Sequence, residues 1–332
     1  MPRPPGFWAR NGGAALPTLL SPIAAIAAAC TARRVARPGW RAPVPVICIG
    51  NVTVGGAGKT TLALDVVARL TARGVVVHAL LRGYGGSSRG VRRVGLNDPA
   101  GLVGDEALLL AAVAPTWIGA DRAASARAAI AAGAEALVMD DGLQNPTLEK
   151  TLSLLTIDGG FGFGNGFVLP AGPLREPVRA GAARCQAAVL IGPDTEGAAS
   201  RLPAGLPILR ATLVPGPEVA AHVGTSVLAF AGIASPEKFF TGLEQAGVFL
   251  AERRAFPDHH RFTERELNRI LVQARVLKIR PVTTPKDAVR IPAARRADFD
   301  GIGVGLQWQD PQEIEALLSV LPWRQRGPKR SA

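Results

Sequence analysis

The residues best suited to chemistry lie in a glycine-rich segment, TVGGAGKTT, at positions 53–61. An apolar, β-branched run at 44–49 precedes it and a helix-forming segment at 62–73 follows, which predicts a strand, a loop and a helix. In such a loop, backbone N–H groups and the helix N-terminus can bind phosphate oxygens, Lys59 can reach the β- and γ-phosphates, and the Thr60 hydroxyl can ligate Mg²⁺. The predicted nucleoside triphosphate site consists of Thr53, Val54, Gly55, Gly56, Ala57, Gly58, Lys59 and Thr60.

This loop departs from the strict G-x-x-x-x-G-K-[ST] pattern at one position, because Thr53 stands where the first glycine belongs. A glycine-rich surface turn that happens to precede a lysine is the alternative interpretation. The flanking strand and helix favour the phosphate site, since both stand where the motif requires them.

Two pairs of adjacent carboxylates follow the loop. Asp105 and Glu106 begin a predicted helix, a position that the helix dipole alone would also favour for acidic residues. Asp140 and Asp141 end a short apolar strand at 136–139, which fits a Walker B role in binding Mg²⁺. A solvent-exposed turn is the alternative for Asp140 and Asp141, but the apolarity of the strand favours the metal role.

Two glycine- or proline-rich segments present further polar side chains. The turn RGYGG, which contains Tyr84, follows the second predicted strand at the edge where open α/β sheets bind ligands. The segment LPAGPLREP at 169–177 has a backbone fixed by three prolines, and it presents Arg175 and Glu176 from a rigid platform.

His259 stands just before a predicted helix whose Thr263 and Glu266 have the spacing of a capping box. A histidine at a helix entrance can be a general acid or base, a metal ligand, or a simple cap. Taken alone, the position favours the structural role.

The amino-terminal segment combines positive charge with an uncharged stretch. The net charge of the 332 residues is +12, and no Asp or Glu precedes Asp65, although six arginines do. Residues 11–32 carry no charge, and helical spacing there predicts a helix with an apolar stripe lying in a membrane interface. The stripe consists of Leu16, Leu19, Leu20, Ile23 and Ile26.

Residues 11–32 allow three other interpretations. A signal peptide would place the nucleotide site outside the compartment that contains ATP, so it is disfavoured. The length would also permit a membrane span, but Pro17 and Pro22 interrupt the run and alanine contributes little hydrophobicity. An ordinary amphipathic helix packed on the protein body stays open. Three scattered cysteines form no zinc or disulfide pattern, which favours a reducing compartment.

Taken together, these segments resemble the tetraacyldisaccharide 4'-kinase family, whose members phosphorylate the 4' hydroxyl of an acylated disaccharide in lipid A biosynthesis. The resemblance covers most of the chain and accounts for Thr53, because the loop of the family carries threonine there. The matching segments, in the order of the family, are GNVTVGGAGKT (50–60), RGYGG (82–86), GDE (104–106), DDGLQ (140–144), LPAGPLREP (169–177), FPDHH (256–260) and VTTPKDAVR (282–290).

The resemblance implies a kinase that uses ATP and Mg²⁺ to convert tetraacyldisaccharide 1-phosphate, the lipid A disaccharide 1-phosphate, into lipid IVA. Asp105 would accept the proton of the 4' hydroxyl with His259 as its partner in a dyad, and Lys59 would hold phosphate. The metal would be organised by Thr60, Glu106, Asp140, Asp141 and Glu176, and the reaction site would be lined by Tyr84 and Arg175.

The resemblance also implies an α/β fold in which a P-loop NTPase-like sheet is flanked by helices. We expect a membrane-associated helix at 1–36, a kinase core at 37–225, a smaller α/β lobe at 226–322 and a basic tail at 323–332. The helix would make peripheral contact with the cytoplasmic face of the bacterial inner membrane. No nucleic acid partner is expected, because the chain carries no recognition motif for nucleic acid.

Two competing functions fit the sequence less well. A partition-type ATPase has a similar loop, but its signature lysine would fall at Val54. A basic module that binds membrane or nucleic acid through a vestigial loop would not need carboxylates at each position that a kinase requires.

Overall fold

The structure is a computed structural model and describes residues 5–322, so the expected basic tail at 323–332 lies outside the described residues. The helices are α1 Ala15–Val35, α2 Lys59–Ala72, α3 Ala100–Val103, α4 Asp105–Ala111, α5 Arg122–Ala131, α6 Val178–Ala182, α7 Pro236–Gln245, α8 Glu264–Leu277, α9 Pro285–Ala288 and α10 Pro311–Ser319. The strands are β1 Val46–Gly50, β2 Val77–Leu81, β3 Arg92–Arg93, β4 Thr116–Ile118, β5 Ala136–Asp140, β6 Leu152–Asp158, β7 Ala187–Ile191, β8 Ile208–Pro215, β9 Ser226–Ala231, β10 Phe249–Ala255, β11 Arg280–Thr283, β12 Asp300–Gly301 and β13 Val304–Trp308.

A nine-stranded sheet forms the large lobe, with the order β13-β8-β7-β6-β1-β5-β2-β4-β3. Its strands are parallel except β13 and β3, which pair antiparallel at the two edges. Strand β1 lies between β5 and β6, and all three are apolar and buried, as expected for parallel strands covered on both faces. Because Ile49 pairs with Asp140, the loop after β1 begins beside the end of β5.

Helices cover both faces of this sheet. On one face, α2, α4 and α10 bury leucine and isoleucine side chains against the strands. On the other face, α5 contributes small residues to a second cluster, and Ala24 of α1 joins that cluster. The large lobe is therefore a three-layer α/β unit whose central strands direct their carboxyl ends toward one edge.

A four-stranded parallel sheet, ordered β10-β9-β11-β12, forms the small lobe. Helix α7 packs on one face through a cluster that contains Phe239 and Phe240, and α8 packs on the other. The predicted capping box is present at the start of α8, where Thr263 and Glu266 exchange hydrogen bonds.

The structure divides the carboxyl-terminal part of the chain differently from the expected lobe at 226–322. Strand β13 returns to the large sheet and pairs antiparallel with β8. Trp308, Ile314 and Leu318 are buried in the same cluster as α2. We therefore define the small lobe as residues 226–303, because Trp308, Ile314 and Leu318 belong to the core of the large lobe.

Helix α1 packs on the large lobe by one side only. Pro17 and Ala24 are its buried residues, and the helix continues through Pro22. Its length and apolar composition would allow it to cross a membrane. The outward side carries four of the five predicted stripe residues, between 52% and 76% exposed: Leu16, Leu19, Ile23 and Ile26. The fifth, Leu20, is partly buried against the lobe.

Candidate functional site

The glycine-rich loop lies at the carboxyl end of β1 and leads directly into α2. Gly55 and Gly58 have φ values of 109° and 81°, a region that favours glycine. The amide of Val54 donates to the Pro173 carbonyl at 2.8 Å, so the 169–177 segment holds the loop. Within residues 5–322 the amides at 55–58 donate no backbone hydrogen bond, so they and the start of α2 can bind an anion.

Lys59 is the first residue of α2, and its ammonium group folds back over the loop. Its Nζ lies 3.4 Å from the Gly55 carbonyl oxygen and 3.9 Å from Asp141 Oδ1. Burial lowers the pKa of Lys59, and the carboxylate of Asp141 opposes that shift. The cation is thus held at the loop by carboxylates at the end of β5.

Asp140 and Thr60 form the centre of the site. The Thr60 hydroxyl donates to Asp140 Oδ2 at 2.9 Å. Asp140 is only 3% exposed, and its Oδ1 has no hydrogen-bond partner within residues 5–322. Burial raises the pKa of Asp140 to about 6. An orphaned carboxylate oxygen beside a threonine hydroxyl fits a Mg²⁺ ion, which prefers such oxygen ligands.

Within the described part of the chain, no group of three or more His, Cys, Asp or Glu side chains is arranged to hold a metal. Asp140 and the Thr60 hydroxyl would therefore hold a Mg²⁺ ion together with phosphate and water oxygens, as Mg²⁺ is held in nucleotide sites.

Asp141 has a left-handed backbone, with φ of 54°, and carries the second carboxylate at this edge. Arg175 Nη1 donates to Asp141 Oδ1 at 2.8 Å. Burial would raise the pKa of Asp141, but the nearby charges of Lys59 and Arg175 outweigh it and lower the pKa. The structure therefore brings Arg175 to the phosphate loop.

Glu176, predicted as a group that organises the metal, is buried and faces its neighbours in the protein. Its Oε1 accepts hydrogen bonds from Gln144 Nε2 at 2.8 Å and Arg184 Nη2 at 2.7 Å. Gln144 also donates to the Asn51 carbonyl oxygen at the start of the loop. Glu176 thus contacts the phosphate loop through Gln144.

Asp105 and His259 are 154 residues apart in the chain and in direct contact in the structure. His259 Nδ1 lies 2.8 Å from Asp105 Oδ2. Asp105 begins α4 after Gly104, where any side chain would collide with the Tyr84 carbonyl oxygen. The turn that contains Tyr84 therefore packs against the start of α4, and the Tyr84 side chain is exposed.

Sequence reasoning missed two cations at this contact. Arg290 donates to Asp105 Oδ2 through Nε at 2.8 Å and Nη2 at 2.6 Å, and Lys286 donates to Glu106 Oε1 at 2.8 Å. Burial opposes ionisation of Asp105, but hydrogen bonds from His259 and Arg290 hold its pKa below the ordinary value. Both cations lie in the 282–290 segment, whose likeness to the family was the only available signal.

The side chains around the phosphate loop and those around Asp105 and His259 belong to one site. Burial is the main influence on the pKa of both Lys59 and Asp140, and the carboxylate of Glu106, which is bonded to Lys286, is close enough to oppose the lowered pKa of Lys59 and to add to the raised pKa of Asp140. The site therefore lies between the lobes, with a phosphate loop on one side and a carboxylate–imidazole pair on the other. The fold and these groups define a P-loop phosphotransferase.

Comparison with known proteins identifies the family. The family model for tetraacyldisaccharide-1-P 4'-kinase, LpxK, matches residues 16–321. The tetraacyldisaccharide 4'-kinase of Gluconacetobacter diazotrophicus is 54% identical over 320 residues, covering 95% of this chain and 97% of the relative. The enzyme of Rhodospirillum centenum is 52% identical over 327 residues, covering 96% of each chain. The chain belongs to the tetraacyldisaccharide-1-phosphate 4'-kinase family.

A solved structure has the same fold. The crystal structure of the "apo" form of LpxK from Aquifex aeolicus, in complex with ATP, aligns with a TM-score of 0.72 at 23% identity. The alignment covers 92% of this chain and 98% of that one. The expected family, kinase class and P-loop α/β fold are confirmed.

Proposed function

We propose that this chain carries out the reaction of its family with Mg²⁺ bound beside Thr60 and with Asp105 as the proton acceptor. In that reaction the γ-phosphoryl group of ATP is transferred to the 4' hydroxyl of tetraacyldisaccharide 1-phosphate, which yields lipid IVA. The observation that carries the proposal is the 2.8 Å contact between Asp105 and His259, beside the phosphate loop.

The phosphate loop binds the triphosphate of ATP. The amides that follow Val54, the N-terminus of α2 and the Lys59 ammonium group supply positive potential around the phosphate oxygens. Lys59 is pre-positioned over the loop by Asp141. Arg175, also paired with Asp141, adds a second cation that can neutralise charge on the transferred group.

Thr60 and Asp140 are the residues that would hold Mg²⁺, with Asp141 and Glu106 completing the acidic surroundings. The ion supplies charge neutralisation on the β- and γ-phosphates when it is bound. Asp140 contributes the unpaired oxygen, Oδ1, and Thr60 keeps the other oxygen of the carboxylate in place. Glu176 supports this arrangement indirectly, because it orients Gln144, which donates to the Asn51 carbonyl oxygen at the start of the loop.

Asp105 accepts the proton of the attacking hydroxyl. Within residues 5–322, its hydrogen bonds from His259 and Arg290 all go to Oδ2, which leaves Oδ1 for the hydroxyl. His259 donates from Nδ1 to Oδ2 and stabilises the carboxylate, while the proton of the hydroxyl is taken up at Oδ1. Tyr84, exposed on the turn beside α4, is placed to contact the sugar.

Helix α1 contacts the cytoplasmic face of the inner membrane, where the acylated substrate resides. Four exposed leucine and isoleucine side chains form its outward side, and Arg33 and Arg34 lie in its last turn. An apolar face buries in the acyl region, and the arginines attract anionic head groups.

The function is tested by incubating the purified protein with γ-labelled ATP and tetraacyldisaccharide 1-phosphate, followed by thin-layer chromatography of the lipid. We expect label in the lipid with the wild type and a loss of about 10²- to 10⁴-fold in kcat for Asp105→Asn, the range of a lost general base. Asp65→Asn is the matched control, since Asp65 also accepts from an arginine but contacts Trp308 rather than the phosphate loop. Wild-type turnover by Asp105→Asn would remove Asp105 from the mechanism.

A further inference from the structure

A fully buried carboxylate, Asp287, lies behind the Asp105–His259 pair in the small lobe. It is 0% exposed, and its Oδ2 accepts hydrogen bonds from the Gly232 amide at 3.0 Å and the Thr284 hydroxyl at 2.6 Å. Its Oδ1 accepts from Arg290 Nη1 at 2.9 Å. All of these donors fix the position of Asp287, so it forms a rigid anchor.

Arg290 connects this anchor to the catalytic pair. Its side chain is 4% exposed and uses one edge for Asp287 and the Gly232 carbonyl, the latter at 2.7 Å. The other edge donates twice to Asp105. The His259 amide donates to the same Gly232 carbonyl oxygen at 3.1 Å, which holds His259 in a left-handed backbone with φ of 58°.

We propose that Arg290 and Asp287 are positioning residues for proton transfer, which together hold Asp105 and His259 in their reactive arrangement. This inference rests on the proposed roles of Asp105 and His259. Arg290 orients the Asp105 carboxylate so that Oδ2 accepts the hydrogen bonds from His259 and Arg290, and Oδ1 faces the 4' hydroxyl of the substrate. Asp287 acts on both members of the pair, through Arg290 on Asp105 and through Gly232 on His259.

The chemistry of the arginine explains why this residue type is needed. A planar guanidinium can bond two carboxylates at opposite edges at once, whereas the compact ammonium of lysine cannot. A buried charged network of this kind contributes little to stability in comparison with apolar packing, so its geometry points to orientation rather than to folding. Since Asp105 belongs to the large lobe and Arg290 to the small lobe, the arrangement also depends on how the lobes meet.

The test measures kcat and the KM for ATP in Arg290→Met, Arg290→Lys and Asp287→Asn. We expect kcat to fall about 10- to 100-fold in Arg290→Met, the loss that follows a misplacement of about 1 Å. The KM for ATP stays within about 2-fold, because the hydrogen bonds of Arg290 within residues 5–322 go to Asp105, Gly232, Asp287 and His259 and not to the phosphate loop. The kcat of Arg290→Lys should lie between those of Arg290→Met and the wild type. If Arg290→Met does not fold, the lowered kcat of Arg290→Lys tests the same inference.

Arg296→Met is the matched control. Arg296 donates to the carbonyl oxygens of Ile291 and Val289 at 3.0 and 3.1 Å, so it holds the same turn without touching Asp105. Its kcat should stay within about 2-fold of the wild type, as expected of a substitution away from the reacting groups. An equal loss of kcat in this control would assign the effect to the turn and overturn the inference.

A double substitution separates positioning from a structural role. If Arg290 acts through Asp105, adding Arg290→Met to Asp105→Asn lowers kcat by less than about 2-fold further, because coupled residues are not additive. Losses that multiply would contradict the inference, and so would an unchanged kcat in Arg290→Met. Full activity of Asp105→Asn alone would instead refute the proposed catalytic role, so the two failures are distinguishable.

Discussion

Replacing Asp140 by asparagine should strongly lower kcat and yet stabilise the protein at neutral pH. The carboxylate is buried at the end of β5, with one oxygen bonded to Thr60 and the other without a partner in the described residues. Such a group is useful for binding a cation, but in the absence of the cation its ionised form is poorly solvated. Asparagine keeps the shape and the acceptor for Thr60 while removing the charge.

The size of the effect follows from the pKa of Asp140. Burial raises it from 3.8 to about 6, so the unfolded chain ionises this carboxyl more readily than the folded protein does. The wild type therefore loses stability as the pH rises through that interval, and the loss is complete above about pH 6. A difference of about 2 pKa units corresponds to about 3 kcal/mol in the free energy of unfolding. The asparagine side chain is never charged, so the Asp140→Asn variant escapes this loss.

The assay is denaturant unfolding of both proteins in EDTA, between about pH 4 and pH 7.5. We expect the stability of the variant relative to the wild type to rise by about 2 kcal/mol over this interval, because part of the change has already occurred at pH 4. Asp141→Asn is the control of opposite sign, because Lys59 and Arg175 lower the pKa of Asp141 and its charge stabilises the folded state at neutral pH. That variant should lose relative stability as the pH rises.

Kinetics complete this test. With ATP and Mg²⁺, kcat of Asp140→Asn should fall by about 100-fold or more, which is the usual effect of removing a group that stabilises transition-state charge. A relative stability of Asp140→Asn that does not change with pH, or that falls as the pH rises, would refute the reasoning about its unpaired oxygen.

The other predictions concern the metal and the membrane. Thr60→Ala should raise the Mg²⁺ concentration needed for half-maximal kinase activity. The control is Thr61→Ala, the next residue on α2, which should leave that concentration unchanged. Equal effects of the two substitutions would show that Thr60 does not bind the metal. Serine at Leu19, Ile23 and Ile26 together should reduce sedimentation with anionic liposomes, because it removes the exposed apolar side of α1. Serine at the exposed Val272 and Val276 of α8 is the control, and equal binding by both variants would exclude α1 as the contact.

The sequence was sufficient for the buried centre of the fold. Strand β1 overlaps the run predicted at 44–49, and β5 extends one residue beyond the run predicted at 136–139. Parallel strands covered on both faces are continuous apolar runs, so they are visible locally. Strands β3, β4, β8, β10, β12 and β13 were not predicted. Strand β10 alternates exposed and half-buried residues, and β13 is buried mainly at Trp308, so neither forms an apolar run.

The sequence by itself also determined the phosphate loop, Lys59, Thr60 and the carboxylates of β5, because those residues lie at the ends of adjacent strands or within one loop. Only the tertiary structure decided which distant side chains meet. The family resemblance implied the pair of Asp105 and His259, but only the structure adds Arg290, 185 residues from Asp105, and directs Glu176 to Arg184 and Gln144. These contacts depend on how the small lobe packs against α4 and how the 169–177 segment packs under the loop. No local pattern encodes that packing, since it is set by the fit of surfaces that are far apart in the chain.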